Sequence, residues 1–332
     1  MAVTLKEVAE LAGVSRSAVS RTFTPGASVS AKTREKVEKA AAELGYSPSL
    51  IARSLATNRT KLIGLVANNF QNPAFLDVFD LFTSALQERG LRPLLVNLSE
   101  ETSPQQSLNL LRQYSVDGVI VASSTLPPSF AAAFQEAGIP VVHTFGKHQG
   151  DTPVHVVGID NVQCGAMAAR CLAERLYRTT ALLGGPETAT STQDRAKGFL
   201  TEAEKLGLRV VKVCYAETYS YEAGRQAMHA VLADDAVEAV FCGDDLIAIG
   251  AIDAARAAGR QVPEDIGILG FNDIAMAGWD AYALTTIRQP IRDIIMSSVE
   301  LVVAMVEAPA SGPEIRLFPC SVIERGSLRG AP

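Results

Sequence analysis

Residues 4–24, TLKEVAELAGVSRSAVSRTFT, decide how this chain is read. Leu5, Val8 and Ala9 recur at helical spacing before Gly13, and Val14, Ala18 and Val19 do so after it, so two short helices turn apolar faces toward each other. Thr4 with Glu7 forms a Thr-x-x-Glu capping pattern for the first helix, and Gly13 supplies the backbone freedom that ends it. Ser15, Arg16, Ser17, Ser20 and Arg21 remain outward on the second helix. Their hydroxyls suit phosphate oxygens and their guanidiniums suit guanine edges, so the segment reads as a helix-turn-helix made to enter a DNA major groove. The alternative for this fragment alone is an ordinary solvated helical hairpin.

The next residues argue against that alternative. Val29, Ser30 and Lys32-Thr33-Arg34 open a third helix through Leu44, with Val37, Ala40, Ala41 and Leu44 at helical spacing and Gly45 as its end. Tyr46-Ser47-Pro48-Ser49 then leads into Leu50-Ile51-Ala52-Arg53-Ser54-Leu55-Ala56, where Pro48 can start a helix but not continue the previous one. Residues 1–60 hold nine Lys or Arg and five Asp or Glu, a net +4 in a chain of net −6, leaving −10 for the remainder. The basic end is the DNA end, and its affinity should depend on salt.

The 332 residues leave room for about two further lobes, and an apolar share of 48% can fill their cores. Strand-like runs occur at 62–68, 93–98, 118–123, 140–145, 155–160, 180–185, 210–215, 239–244, 266–271 and 317–323. Helical stretches such as 74–89, 105–114, 161–177, 193–206, 221–233 and 245–258 lie between most of them. This β-α-β alternation predicts an α/β fold of two doubly wound parallel-sheet lobes, with breaks near 158–162 and 285–291. No apolar run approaches the roughly 20 residues of a spanning helix, and the N-terminus does not read as an export signal, so a cytoplasmic protein without membrane contact is expected. Cys164, Cys171, Cys214, Cys242 and Cys320 have no C-x-x-C spacing and read as buried free thiols. The four histidines lack metal-ligand spacing, so no metal or cofactor is assigned.

The segments TLKEVAELAGVS, AVSR, VSAKTREKVEKAAAELGYSP and ARSLATNRTKLIGLV, in this order and spacing over residues 3–66, resemble the headpiece and hinge of the lactose-repressor/galactose-repressor family. Further motifs resemble its effector domain, itself similar to periplasmic sugar-binding proteins. They include Asp160-Asn161 with Gly165-Ala166, Arg195-x-x-Gly198-Phe199, Asp244-Asp245-x-x-Ala248-x-Gly250, Gly270-Phe271-Asn272-Asp273 and Thr286-Ile287-Arg288-Gln289-Pro290. The resemblance implies a headpiece over 1–47, a hinge helix and linker over 48–60, and an effector-binding and dimerisation domain over 61–332. Within that domain, lobe 1 would take about 61–159 and 291–318, and lobe 2 about 160–288 and 319–332. Arg16, Ser17 and Arg21 would read bases, with Ser15 and Ser20 among the phosphate contacts. Thr4, Ser30, Tyr46 and Ala52 complete the expected DNA contacts, and Leu55 would wedge into the minor groove of a hinge pair ordered on DNA.

Ligands of open α/β sheets bind at the carboxyl ends of strands. Asp244 and Asp245 lie at such an end before LIAIGAI, and Asn272 and Asp273 lie at another before IAMAGW. Neighbouring side chains diverge there, so Asp244 and Asn272 are assigned to the ligand and Asp245 and Asp273 to helix caps. Asp160 or Asn161 is read as a cap only. Arg195 can hold two ligand oxygens with its fork, Tyr219 can stack on an apolar ligand face, and Asn68, Asn69 and Phe75 follow the first strand. Gln289 completes the expected effector set. In the family the position of Asp244 is commonly Asn and that of Asn272 commonly Asp, so this chain keeps one cleft carboxylate but moves it.

The expectation is a ligand-responsive transcriptional regulator, a repressor of carbohydrate or related small-metabolite catabolism genes. It would bind a palindromic operator in double-stranded DNA as a homodimer and respond to a sugar, polyol or sugar acid. No leucine heptads follow Arg325, which disfavours a coiled-coil tetramer, though other contacts leave a tetramer open. An enzyme would need a nucleophile with an adjacent base or a phosphate loop. Gly184-Gly185-Pro186 lacks the Lys-Ser/Thr of such a loop, so no enzyme is expected. A transport binding protein is opposed by the headpiece.

Overall fold

A computed structural model describes residues 3–24, 26–47, 59–68, 70, 72–98, 104–147, 154–308 and 312–331. The chain divides into one unit over Met1–Lys61 and a second over Leu62–Pro332.

In the first unit, α1 (Leu5–Ala12), α2 (Arg16–Thr22) and α3 (Ala31–Leu44) enclose a small core of Val8, Ala9, Ala12, Val19, Val37, Ala40 and Ala41. The capping box forms as the spacing predicts: the Glu7 N–H donates to Thr4 Oγ1 and the Thr4 N–H to Glu7 Oε2 at 2.7 Å. Gly13 and Gly45 close α1 and α3 with φ of 63° and 65°, a left-handed conformation that glycine adopts without Cβ strain. Ser15 and Ser30 cap α2 and α3, and Arg34 donates to the Thr22 carbonyl at 2.9 Å, tying α3 to the end of α2. The expected hinge helix, with Ala52 and Leu55, lies outside the described residues.

The second unit holds two six-stranded sheets. The first joins β1 (Leu62–Ala67), β2 (Arg92–Asn97), β3 (Gly118–Ala122), β4 (Val141–Thr144), β5 (His155–Gly158) and β11 (Ile315–Leu317) in the order β11-β5-β4-β3-β1-β2. The second joins β6 (Thr179–Gly184), β7 (Arg209–Tyr215), β8 (Ala239–Cys242), β9 (Gly267–Asn272), β10 (Thr285–Arg288) and β12 (Ser321–Ile323) in the order β12-β10-β9-β8-β6-β7. Pairing is parallel except between β10 and β12. Helices α4 (Ala74–Glu88), α5 (Pro104–Gln113), α6 (Pro128–Glu136) and α11 (Ile291–Glu307) belong with the first sheet. Helices α7 (Asn161–Glu174), α8 (Thr190–Leu206), α9 (Tyr221–Leu232) and α10 (Asp245–Ala257) belong with the second. The chain therefore passes between the sheets three times, after β5, after β10 and between β11 and β12. Among the described residues no helix is long and apolar enough to cross a membrane.

Two departures from the sequence reading have clear causes. The run 317–323 is not one strand: it is split between β11 and β12, which lie in different sheets, with Pro319 between them. The other is β10, Thr-Thr-Ile-Arg, which lacks the apolar run of its neighbours yet has Thr285 and Thr286 fully buried. Thr286 donates to Asp245 Oδ1 at 2.6 Å and Thr285 Oγ1 accepts the Arg325 N–H at 2.9 Å, so hydroxyl pairing replaces apolar burial. The thiols also differ: Cys164, Cys171 and Cys242 are buried, but Cys214 and Cys320 are partly exposed.

Helix pairs pack through glycine. A methyl group on Gly165 of α7 would collide with the Arg195 carbonyl oxygen, and one on Gly198 of α8 with the Val162 carbonyl oxygen. Gly224 of α9 and Gly250 of α10 meet the backbones of Ile247 and Tyr221 in the same way. These clashes are with backbone, which cannot rotate aside. Gly198→Ala is expected to cost about 3 kcal/mol, the upper part of the usual cost of overpacking, in urea unfolding followed by circular dichroism.

Candidate functional site

A cavity of about 320 Å³ in the second unit is lined by residues from both sheets' connections, among them Asn72, Phe75, Phe145, Asn161, Arg195, Tyr219, Asp244, Asn272 and Gln289. Its floor is a buried carboxylate. Asp244 has extended backbone (φ −160°, ψ 150°), as a residue just outside a helix must, and its Oδ1 accepts the Leu246 N–H at 2.8 Å. Asp244 is thus the cap of α10, correcting the assignment of that role to Asp245. Its Oδ2 accepts from Asn272 Nδ2 at 2.8 Å and from Asn72 Nδ2 at 3.2 Å, so one carboxylate joins a loop on the first sheet to the end of β9 on the second. Gln289 Nε2 extends the chain to Asn272 Oδ1 at 2.6 Å. Burial raises the Asp244 pKa, opposed by the Leu246 N–H, the Arg195 charge and the Asn72 hydrogen bond.

Asp245 has already entered the helix, so its side chain points inward to Thr286 and to the Ile274 N–H at 2.9 Å. Asp273 is likewise no cap; its carboxylate bridges Arg288 and Arg325. Asn272 and Asp273 hold φ of 118° and 60°, two consecutive left-handed residues at the cavity edge. Asp160 caps α7 through the Gln163 N–H at 3.0 Å, which frees Asn161 for a different role.

Arg195 is only 6% exposed and has no carboxylate within ion-pair distance among the described residues. Its Nε donates to Asn161 Oδ1 and its Nη1 to the Gly243 carbonyl, both at 2.8 Å, while the guanidinium lies 3.7 Å above the Phe271 ring. Two of the fork's nitrogens are therefore already engaged, and the Nη1–Nη2 end keeps donors for the cavity. Tyr219 presents its ring to the cavity, with its hydroxyl 2.9 Å from Thr192 Oγ1 and its ring packed on Gly185, where a Cβ would strike it. Phe75 lies in the first turn of α4 and lines the cavity. Asn68 instead spends its amide on Thr125 and Ser123, and Asn69 lies outside the described residues. The sequence reading did not single out Asn72. Its signal was an Asn before Pro73 at a helix start, and likewise the Asp160-Asn161 doublet implied that only one of the two could cap.

In the first unit, Arg16, Ser17, Ser20 and Arg21 are exposed on α2. The ion pairs of the described headpiece residues are Lys6–Glu10 and Arg34–Glu38, which leaves Arg16 and Arg21 without a carboxylate partner. Ser15 Oγ lies 2.9 Å from Ser17 Oγ and also caps α2. Thr4 and Ser30 spend their hydroxyl oxygens on caps, and Tyr46 packs on Phe23 at a ring distance of 5.9 Å.

Residues 4–49 match the model described as bacterial regulatory proteins, lacI family, and residues 169–328 match the periplasmic binding protein-like domain. The HTH-type transcriptional repressor PurR of Pectobacterium carotovorum subsp. carotovorum (strain PC1) is 32% identical over 335 residues, covering 99% of this chain and 98% of the relative. The repressor of the same name from Yersinia pestis (strain Pestoides F) is 33% identical over 336 residues, with coverage of 99% and 98%. The chain belongs to the lacI family of bacterial regulatory proteins. The lac repressor dimer bound to operator and the anti-inducer ONPF superimposes on this lacI-family chain with a TM-score of 0.90 at 26% identity, covering 99% of it and 100% of that chain. The complex of the transcriptional regulator CelR with cellobiose gives 0.74 at 29% identity, covering 98% and 99%. This lacI-family protein is a DNA-binding transcriptional repressor with a helix-turn-helix headpiece and a periplasmic-binding-protein-like domain of two parallel sheets.

Burial pushes the Asp245 carboxyl up to about 7, with the Thr286 hydrogen bond opposing and the neighbouring Asp244 adding to the rise. The folded chain then holds a proton that the unfolded chain releases. The resulting contribution to stability is complete below the ordinary aspartate value of 3.8 and is lost as pH rises toward 7. Urea unfolding across that window should show wild-type stability falling with pH relative to Asp245→Asn. Parallel curves for the two proteins would contradict this.

Proposed function

We propose that this repressor acts in the cytoplasm as a homodimer on a near-palindromic operator. Its signal is a sugar, polyol or sugar acid bound in the cavity of the second unit, and its targets are genes for catabolism of such metabolites. The observation that carries the ligand chemistry is the pairing of Asp244, hydrogen-bonded to Asn72 and Asn272, with a buried Arg195 that lacks a carboxylate partner. The cavity is lined by both donors (Arg195, Asn72, Asn272, Gln289) and acceptors (Asp244, Asn161), a mixture that suits hydroxyls, and Phe75 and Tyr219 offer faces for the C–H side of a ring. The CelR complex with cellobiose and the operator-bound lac repressor dimer support the reading by likeness.

On DNA, Arg16, Ser17 and Arg21 would read the half-site while Ser15, Ser20, Thr4, Ser30 and Tyr46 hold the backbone. Ala52 and Leu55 would meet the minor groove from paired hinge helices, with Leu55 as the wedge. The effector changes the separation of the lobes and thereby whether the two hinges can pair.

Selection of bound sequences from a randomised DNA pool should enrich a palindrome. No enrichment, with or without a metabolite mixture, would refute the base-reading role of α2. On the enriched site, Leu55→Ala should lower both affinity and bend angle, and unchanged values for both would remove the wedge.

Calorimetry against an aldose, its alditol, its aldonate and a purine base tests the ligand class. Arg195→Ala should weaken the bound member by about tenfold to a hundredfold, the worth of a hydrogen bond to a charged group. Undiminished affinity would overturn the clamp, and tighter binding of the purine base would replace the polyhydroxyl reading.

A further inference from the structure

Cys164 and Cys320 are 156 residues apart in sequence, yet the Cys164 thiol donates to Cys320 Sγ at 3.3 Å. Cys164 stands in the first turn of α7, just after the chain's first passage between the sheets. Cys320 lies in the third passage, between β11 and β12. The two passages run side by side there, with the Phe318 N–H donating to the Gly158 carbonyl at 2.9 Å. Cys320 is partly exposed whereas Cys164 is 4% exposed, so Cys320 is the more accessible residue of the pair.

We infer that Cys164 and Cys320 are a peroxide-reactive thiol pair whose disulfide staples the first and third passages between the lobes. The hydrogen bond from Cys164, helped by the Arg195 charge, lowers the Cys320 pKa, which favours the nucleophilic thiolate. The other thiols face the opposite way: burial pushes Cys171 up to about 11 and also raises Cys214 and Cys242.

In the first step the Cys320 thiolate attacks one oxygen of hydrogen peroxide, the O–O bond breaks, and hydroxide leaves and is protonated to water. The Cys164 sulfur then attacks the Cys320 sulfenic acid, an S–S bond forms, the S–O bond breaks, and the Cys164 proton departs in a second water. Two thiols are oxidised and one peroxide is reduced to two waters. The sulfurs need to approach from 3.3 Å to about 2.05 Å. Gly165 presses α7 on the α8 backbone, so the accommodating movement falls on the 318–320 passage. Excess dithiol reverses the reaction.

The test treats the full-length protein with hydrogen peroxide and maps its peptides without reduction. The expected product is a Cys164–Cys320 linked peptide, two hydrogens lighter than the thiols, absent in Cys320→Ser and in Cys164→Ser and lost on adding dithiothreitol. Iodoacetamide at neutral pH should label Cys320 of the reduced wild type ahead of Cys214. Hydrogen exchange at 159–164 and 318–321 should be slower in the oxidised protein. Peroxide that leaves the pair unlinked, or that carries Cys320 to sulfinic acid without the link, overturns the thiol pair. A linked protein whose exchange at both passages equals that of the reduced protein overturns the staple.

Discussion

The Asp244 carboxylate is the group around which the second unit is organised. It caps α10, receives Asn272 from the end of β9 and receives Asn72 from the loop before α4, so a single buried charge is shared by two elements of one sheet and one of the other. A buried carboxylate is tolerated only when its lone pairs are satisfied, and here that demand holds two lobes to one another. The same charge lies close enough to Arg195 to be felt by it, though the two are not an ion pair. The fold therefore keeps a donor end and an acceptor end apart across the cavity.

Around this centre, rigidity and mobility are divided. Within the second lobe, α7 and α8, and α9 and α10, meet backbone to backbone at glycines, where close packing has no soft degree of freedom. Between the lobes there are three passages of chain, and β11 and β12 are only three residues each. The two cysteines lie where two of those passages run together. Arg195 lines the cavity, and its charge also acts on Cys320.

The headpiece solves a different problem with the same economy of polar groups. Its core is seven small or medium apolar residues, so its helix ends matter disproportionately, and Thr4, Ser15 and Ser30 all cap. A capping hydroxyl oxygen accepts from backbone and still has its O–H to donate, although that of Thr4 goes to Glu7 Oε2 at 2.8 Å. Arg16 and Arg21 carry no such duty and have no carboxylate partner in the described headpiece.

The periodicity of apolar residues, the capping box, the glycine ends and the β-α-β alternation were legible in the sequence because each depends on residues within a few positions of one another. The family followed from the same local motifs. Which member of the Asp244-Asp245 doublet caps the helix was not legible, because helix phase leaves Asp244 just outside α10 to cap it and turns Asp245 inward to Thr286, and one residue of phase exchanges the roles. Asn72 and Asn161 reach the cavity groups through partners 172 and 34 residues away. Strand β10 escaped a hydrophobicity criterion because its buried threonines are satisfied by Asp245 and by the Arg325 backbone. Local chemistry determined the elements, the helix-turn-helix among them. Only the tertiary structure decided which charges are buried together, because the cost of an unsatisfied buried polar group is settled by whichever distant segment packs against it.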